Sequence, residues 1–374
     1  MNAAVRRILV ENGFDPDLTP DAKRQVDSIK VPAAGVGDVR DLRHLPWSSI
    51  DNTESRDLDQ VEIAESLDHG AIRLVVGIAD VDALVPRDSP VDAHARENCT
   101  SVYAGVAVYP MLPDRLSTDL TSLVEGQDRL AIGIETVVDA SGNVADIAVY
   151  RCVVRNQAKL AYDEIGAWLD GGGIPKKLEG NQPIIDQLKL QREASERLKA
   201  ERERNGALEL DTIEATPVAK DGRIVDLALV RKNKARDLIE DFMIASNVTI
   251  AKFLEASGRS GIRRVVREPE RWSRIVQLAE KFGATLPAEP DAFALAQFLK
   301  AQRAADPDRF PDLSLSIVKL LGPGLYALDL PGKDPGGHFS LATHDYSHAT
   351  APNRRYADLI TQRLVKATLA RSAA

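Results

Sequence analysis

WSSIDNTESRDLDQVEIAESLDHGAIRLVVGIADV, residues 47–81, carries the clearest structural pattern in the chain. WSSID reads as the end of one strand, and VEIAE and IRLVVGIADV as two more. The last is a nearly continuous apolar run, as in a strand covered on both faces. Outward from this segment, residues 128–138 and 145–154 read as a hairpin around Ala140-Ser141-Gly142-Asn143. LELDTIEATPV (208–218) and RIVDLALV (223–230) suggest a second hairpin turning at Lys220-Asp221-Gly222. A helix fits Tyr162–Asp170, stopped by Gly171-Gly172-Gly173. Residues 183–204 form a long, charged helix with one solvated face, residues 235–256 an apolar helix, and 269–321 a mixed helical stretch. A last helix begins near Arg354, and a short helical pattern runs from Ala3 to Asn12. Several strands followed by many helices predict an α+β fold rather than a doubly wound sheet.

The chain has 374 residues, 44% of them hydrophobic, which is enough for a sizeable core. No apolar run approaches the roughly 18–20 residues that cross a bilayer. The start, MNAAVRRILVENGFDPD, lacks a long apolar region and a small-residue cleavage site. Cys99 and Cys152 form no disulfide or zinc spacing. A reduced, cytoplasmic setting is the expectation from these features. A net charge of −8 argues weakly against a nucleic-acid binder, since phosphate affinity comes largely from Lys and Arg. A local basic channel inside an acidic protein answers that objection.

Within the opening stretch, IDNTESRDLDQ (50–60) concentrates carboxylates. Asp57 and Asp59 are spaced i, i+2, which puts both on one face if the segment is extended. The turn residues Asn52, Thr53 and Ser55 are suited to fold Asp51 back toward them. Converging carboxylates are what a hard divalent cation requires, and Mg²⁺ typically takes one or two together with phosphate oxygens and waters. A solvated acidic loop is the competing reading, and an EF-hand is excluded by the missing Gly and Glu. A second cluster, HFSLATHDYSHATAPNRRYADLITQR (338–363), holds three of the six histidines and two adjacent arginines. Pro352 precedes a helical pattern whose first turn would contain Arg354 and Arg355, a place where backbone N–H groups and guanidinium groups suit a phosphate. The alternative leaves both arginines as ordinary surface residues.

Taken together, these segments resemble the RNB catalytic domain of the ribonuclease II and ribonuclease R family. SIDNTESRDLDQ matches a motif of the form T-I-D-x-x-x-A-x-D-x-D-D. VGIADVDALVPRDSPVDAHARENCTSVY (76–103), PMLPDRLSTDLTSLVEGQDRLAI (110–132), AKLAYDEIGAWLDG, IEDFMIASN, RRVVREP and YSHATAPNRRYADLITQRL follow in family order. The match covers roughly residues 40–368. The resemblance implies a mixed or antiparallel sheet flanked by helices around a narrow RNA channel. It implies a 3′-to-5′ exoribonuclease that hydrolyses single-stranded RNA to nucleoside 5′-monophosphates with Mg²⁺, or with Mn²⁺. Asp51, Asp57 and Asp59 are similar to the family's metal-site and catalytic carboxylates, with Asp59 the most critical. Arg354 corresponds to an arginine on the scissile phosphate, joined by Arg355 and Tyr356 in the same RNA-binding block. Tyr103 matches an aromatic that stacks on bases near the 3′ end, Tyr162 one that lines the cavity, and Glu240 an acid that reads the terminal ribose. A purely structural role remains open for Tyr103, Tyr162, Glu240 and Arg354.

Three departures stand out. The motif ends Asp59-Gln60 rather than Asp-Asp, so one expected metal-site carboxylate is an amide. The S-P-I-R motif reads Ala351-Pro352-Asn353-Arg354, and a stacking aromatic near LELD is replaced by Leu210. In domain terms, residues 1–40 are expected to be a short lead-in segment without room for two oligonucleotide-binding barrels. Residues 41–370 are then the RNB domain, with no C-terminal barrel. Two other functions stay open: an RNA-binding or regulatory protein with a degenerate RNB site, motivated by Gln60, and a metal-dependent phosphohydrolase for another nucleotide.

Overall fold

The computed structural model describes residues 2–35, 37–105, 107–211, 214–220, 223–230 and 232–370. Its strands are β1 (Arg40–Asp41), β2 (Ser48–Asp51), β3 (Gln60–Ser66), β4 (Ile72–Ala79), β5 (Val102–Tyr103), β6 (Val108–Tyr109), β7 (Asp128–Val138), β8 (Val144–Arg155), β9 (Ala158–Ala161), β10 (Glu214–Lys220), β11 (Arg223–Val230), β12 (Gly261–Val265) and β13 (Leu325–Asp329). Seven of them form the main sheet in the order β1-β8-β7-β4-β3-β2-β9. Only the outer pairs, β1 with β8 and β2 with β9, are parallel. The antiparallel centre with parallel margins is a mixed sheet, as the family resemblance implies.

β4 lies mid-sheet, and all but Arg73 of its residues are buried, because both sheet faces are covered. Ile72, Leu74, Val76 and Ile78 face one apolar cluster, while Val75 and Ala79 face a second. The helices are α1 (Asn2–Glu11), α2 (Pro20–Ser28), α3 (Pro90–Asn98), α4 (Tyr162–Leu169), α5 (Gln182–Arg204), α6 (Lys234–Ala256), α7 (Trp272–Lys281), α8 (Ala292–Ala305), α9 (Phe310–Leu321) and α10 (Tyr356–Leu369). α4, α5 and α6 cover the first face through Ile165, Leu188, Leu198, Phe242 and Ile250. α2 and α3 cover the second through Val26, Val91 and Ala95, around Trp47. α7, α8 and α9 enclose a separate core of Ile275, Leu295, Phe298, Phe310 and Ile317.

The charged helix α5 keeps one face in water: its buried positions Ile184, Ile185, Leu188, Gln191, Ala194, Ser195 and Leu198 recur at helical spacing. The first hairpin turns where the sequence places it, with Asp139 accepting from the Ser141 and Asn143 amides and Gly142 at φ 89°. β10 and β11 pair as expected, although Asp221 and Gly222 at the anticipated turn fall outside the described residues. Two elements differ from the sequence reading. β12 pairs with β13 across some sixty residues of intervening helices. The last helix starts at Tyr356, not Arg354, so both arginines precede it rather than occupying its first turn. No helix among the described residues is long and apolar enough to cross a membrane.

Candidate active site

The loop between β2 and β3 is held from several sides. Asp51 closes β2 and accepts from the Asn52 amide and from Ser55 Oγ, both at 2.7 Å. Lys159 of β9 donates to the Thr53 and Ser55 carbonyls. Ser122, fully buried, donates to the Arg56 carbonyl at 2.7 Å and accepts from the Leu58 amide at 3.0 Å. Leu58, between Asp57 and Asp59, is anchored in the second core.

Asp59 meets the segment that precedes α10. Its two carboxylate oxygens accept from the Asn353 amide at 3.2 Å and from Arg354 Nε at 3.3 Å. The carboxyl is 2% exposed, and this burial raises its pKa to about 7 even though Arg354 and the Asn353 amide pull the other way. Asp57 and Asp358 add repulsion that also favours the neutral form. Asp51 is raised too, first by burial. Asp57 accepts at 3.1 Å from Tyr103 Oη, whose ring is half-exposed. Tyr103 and Asp57 line an open cleft of about 900 Å³ whose walls include Arg56, Asp114, Asp163 and Arg236. A π-helical turn, Leu116–Leu120, contributes Ser117 and Thr118 to the same wall. Such turns are rare and often lie at functional sites.

Arg354 is fixed through its backbone: its carbonyl accepts from the Ser101 amide and from Thr100 Oγ1, each at 3.0 Å. Its side chain is half-exposed. Asn353 is buried, and its Oδ1 accepts from Thr121 Oγ1 at 2.6 Å. Arg355 differs sharply from its neighbour, being paired with Asp358 at 2.8 Å. Tyr356 donates to Asp92 at 3.0 Å and packs against the second core, which ties it to the scaffold. Tyr162 opens α4 under the Arg236 guanidinium, 4.5 Å from its ring, within the field of Asp51 and Glu62. Glu240 is exposed on α6, 3.9 Å from Lys232, and lines a different pocket together with Leu210. Gln60 is buried at the start of β3.

The structure thus brings Asp51, Asp57, Asp59, Arg354 and Tyr103 into one electrostatically coupled group. Sequence reading missed Ser122, Lys159, Thr121 and the Asn353 amide, which carry no local signal because each acts through a distant partner. The donors suit a hard cation, being carboxylate oxygens beside a cleft. Among the described residues, however, no three His, Cys, Asp or Glu side chains converge closely enough to hold an ion alone. Mg²⁺ requires only one or two carboxylates, with water and phosphate oxygens completing its shell. The residues therefore fit such an ion.

This sheet, with the carboxylate–arginine pair at its edge, defines an RNB domain: residues 39–371 match it, and the chain belongs to that family. It is similar to ribonuclease R of Escherichia coli K12, with 32% identity over 364 residues, 95% of this chain and 44% of that protein. Ribonuclease R 1 of Lactococcus lactis is 31% identical over 332 residues, 87% of this chain and 40% of that protein. The chain therefore spans less than half the length of these relatives. Among solved structures, RNase R of Mycoplasma genitalium in complex with ribose-methylated single-stranded RNA superposes with a TM-score of 0.87 at 24% identity. That alignment covers 97% of this chain and 56% of the other. Yeast Ssd1, a pseudonuclease, gives 0.69 at 17% identity over 92% of this chain and 42% of its own. A nuclease and a pseudonuclease share the fold, so activity has to be argued from side chains.

Proposed function

We propose that this chain is the catalytic portion of a metal-dependent 3′-to-5′ exoribonuclease, which hydrolyses single-stranded RNA to nucleoside 5′-monophosphates. The observation that carries the reading is the buried Asp59 carboxyl, 3.3 Å from Arg354 Nε, beside an open cleft with Tyr103 on its wall. The ribonuclease R relatives support it, as does the RNA-bound structure of similar fold.

Burial raises the pKa of the Asp59 carboxyl in the metal-free chain, so a bound cation would favour its charged form and add to the pull of Arg354. Arg354 offers a fixed positive charge to the phosphate that displaces its contact with Asp59. Tyr103 presents a half-exposed ring for stacking, worth roughly 1–3 kcal/mol per base and tolerant of sequence. One or two of Asp51, Asp57 and Asp59, with the Gln60 amide oxygen as a neutral addition, would hold Mg²⁺ or Mn²⁺, water and phosphate oxygens completing the shell. Such an ion, when bound, supplies an acidified water and charge neutralisation at the phosphate. Arg355 and Tyr356 brace this region through Asp358 and Asp92.

Labelled single-stranded RNA incubated with Mg²⁺ or Mn²⁺ tests the reading: a ladder running from the 3′ end is expected. Asp59→Asn should slow shortening by about 10²-fold or more while RNA is still retained in a gel-shift assay. A shifted but intact band with the wild-type chain would instead identify an RNA-binding protein with a degenerate site.

A further inference from the structure

Three consecutive residues after the π-helical turn, Thr121, Ser122 and Leu123, reach both halves of the Asp59–Arg354 contact. On the carboxylate side, Ser122 Oγ accepts from the Leu58 amide and the Leu123 amide donates to the Leu58 carbonyl, each at 3.0 Å. Leu58 is thereby held at both of its backbone groups, and Asp59 is the next residue. On the arginine side, Thr121 Oγ1 donates to Asn353 Oδ1 at 2.6 Å. The hydroxyl has one proton, and the Leu116 carbonyl, at 2.9 Å, is the farther of its two acceptors. The Asn353 amide donates in turn to Asp59 Oδ1 at 3.2 Å, and Arg354 Nε to Asp59 Oδ2 at 3.3 Å. A closed circuit results, running from Asp59 through Leu58, Ser122, Thr121 and Asn353 to Arg354 and back.

Thr121 and Asn353 are 4% and 1% exposed, and neither lies on the wall of the cleft, so neither is placed to touch RNA there. Leu120, Leu123 and Ala351, close to them in sequence, are buried apolar groups. An amide in such surroundings leaves its Nδ2 without a partner, a cost that an aliphatic side chain would avoid. The polar pair is accounted for by what it holds. A short hydrogen bond is directional, whereas apolar burial is not. Here the direction it fixes is that of the peptide whose residues offer two donors to one carboxylate.

We propose that Thr121 and Asn353 are positioning residues, and that their side-chain contact sets the seating of Asp59 against Arg354. This rests on the exoribonuclease reading above, so the test includes a readout that needs no turnover. Solvent exchange of the Arg354 Nε–H is followed by ¹⁵N–¹H NMR in the RNA-free chain, and kcat and KM for single-stranded RNA are measured with Mg²⁺ or Mn²⁺ well below the melting temperature. Thr121→Val removes the hydroxyl and Asn353→Leu its acceptor. Each is expected to speed the Arg354 exchange by about tenfold and to lower kcat by about tenfold or more with KM little changed. Thr121→Ser keeps the hydroxyl and is expected to retain wild-type exchange and kcat. The double variant Thr121→Val with Asn353→Leu is expected to be no worse than either single one, because both remove the same contact. Losses that multiply in the double variant overturn the proposal, as does wild-type Arg354 exchange in both single variants. A lowered melting temperature alone, with kcat and exchange unchanged, is a structural role and overturns it too; the nuclease reading then stands. If the Arg354 exchange responds as expected while the wild-type chain leaves RNA intact, the positioning assignment stands and the nuclease reading falls.

Discussion

Asp59 shows how one side chain's surroundings set its chemistry. Desolvation pushes its pKa to about 7 from an ordinary 3.8, and Arg354 is the largest influence in the other direction. Below pH 7 the group is therefore mostly protonated in the metal-free chain, and above it mostly charged. Arg354→Ala removes the opposing charge, so the Asp59 midpoint is expected to move upward, as read by NMR titration of the carboxyl carbon. A downward move would mean that Arg354 does not bear on Asp59. The sign also fixes the stability effect. A folded-state pKa above the unfolded value means that unfolding releases a proton between about pH 4 and 7. Asp59 therefore favours folding least at the alkaline side of that window. Asp59→Asn is expected to flatten this part of the melting-temperature profile against pH.

At the level of elements, the loop from Asp51 to Asp59 is shaped by contacts from elsewhere in the chain. Ser122 ties Arg56 and Leu58 to the segment after the π-helical turn. Ser122→Ala strands a buried amide and carbonyl, and is expected to cost about 1–3 kcal/mol, read as a lower urea midpoint with unchanged slope. These ties also mark what the sequence made legible. The central strands, the first hairpin, α4, α5 and α6 follow from periodicity and turn residues. The carboxylate cluster was legible because its members sit within nine residues of one another. β9 and the β12–β13 pair were not, since four- and five-residue strands acquire meaning only beside distant partners. The start of α10 was misplaced for a definite reason. Asn353, the residue type that would cap a helix, engages Thr121 through its side chain instead, and the position before Tyr356 is an uncapped arginine.

Across the whole molecule there is an excess of eight negative charges, and on the proposed function the site has to attract a polyanion against them. Binding then depends on a few cations placed where the phosphates run, and it is expected to weaken as salt rises. Arg354, half-exposed, is expected to be one of them: its loss should lower the slope of log affinity against log salt by about 1. Arg355→Ala should leave that slope unchanged, because its guanidinium is already engaged by Asp358. Equal slopes for the two variants would contradict this division. The hydrogen bonds from Ser101 and Thr100 to the Arg354 carbonyl have a mechanical consequence. Tyr103 is two residues from Ser101, so the arginine and the ring are mounted on a single bracket rather than on independent arms. If the chain consumes a polymer from its terminus, as proposed, such a bracket would work as a gauge block, seating each newly exposed end at the same phase relative to the cut. On the proposed reading, the length of the step would be set by the backbone between Ser101 and Tyr103 rather than by the base that arrives.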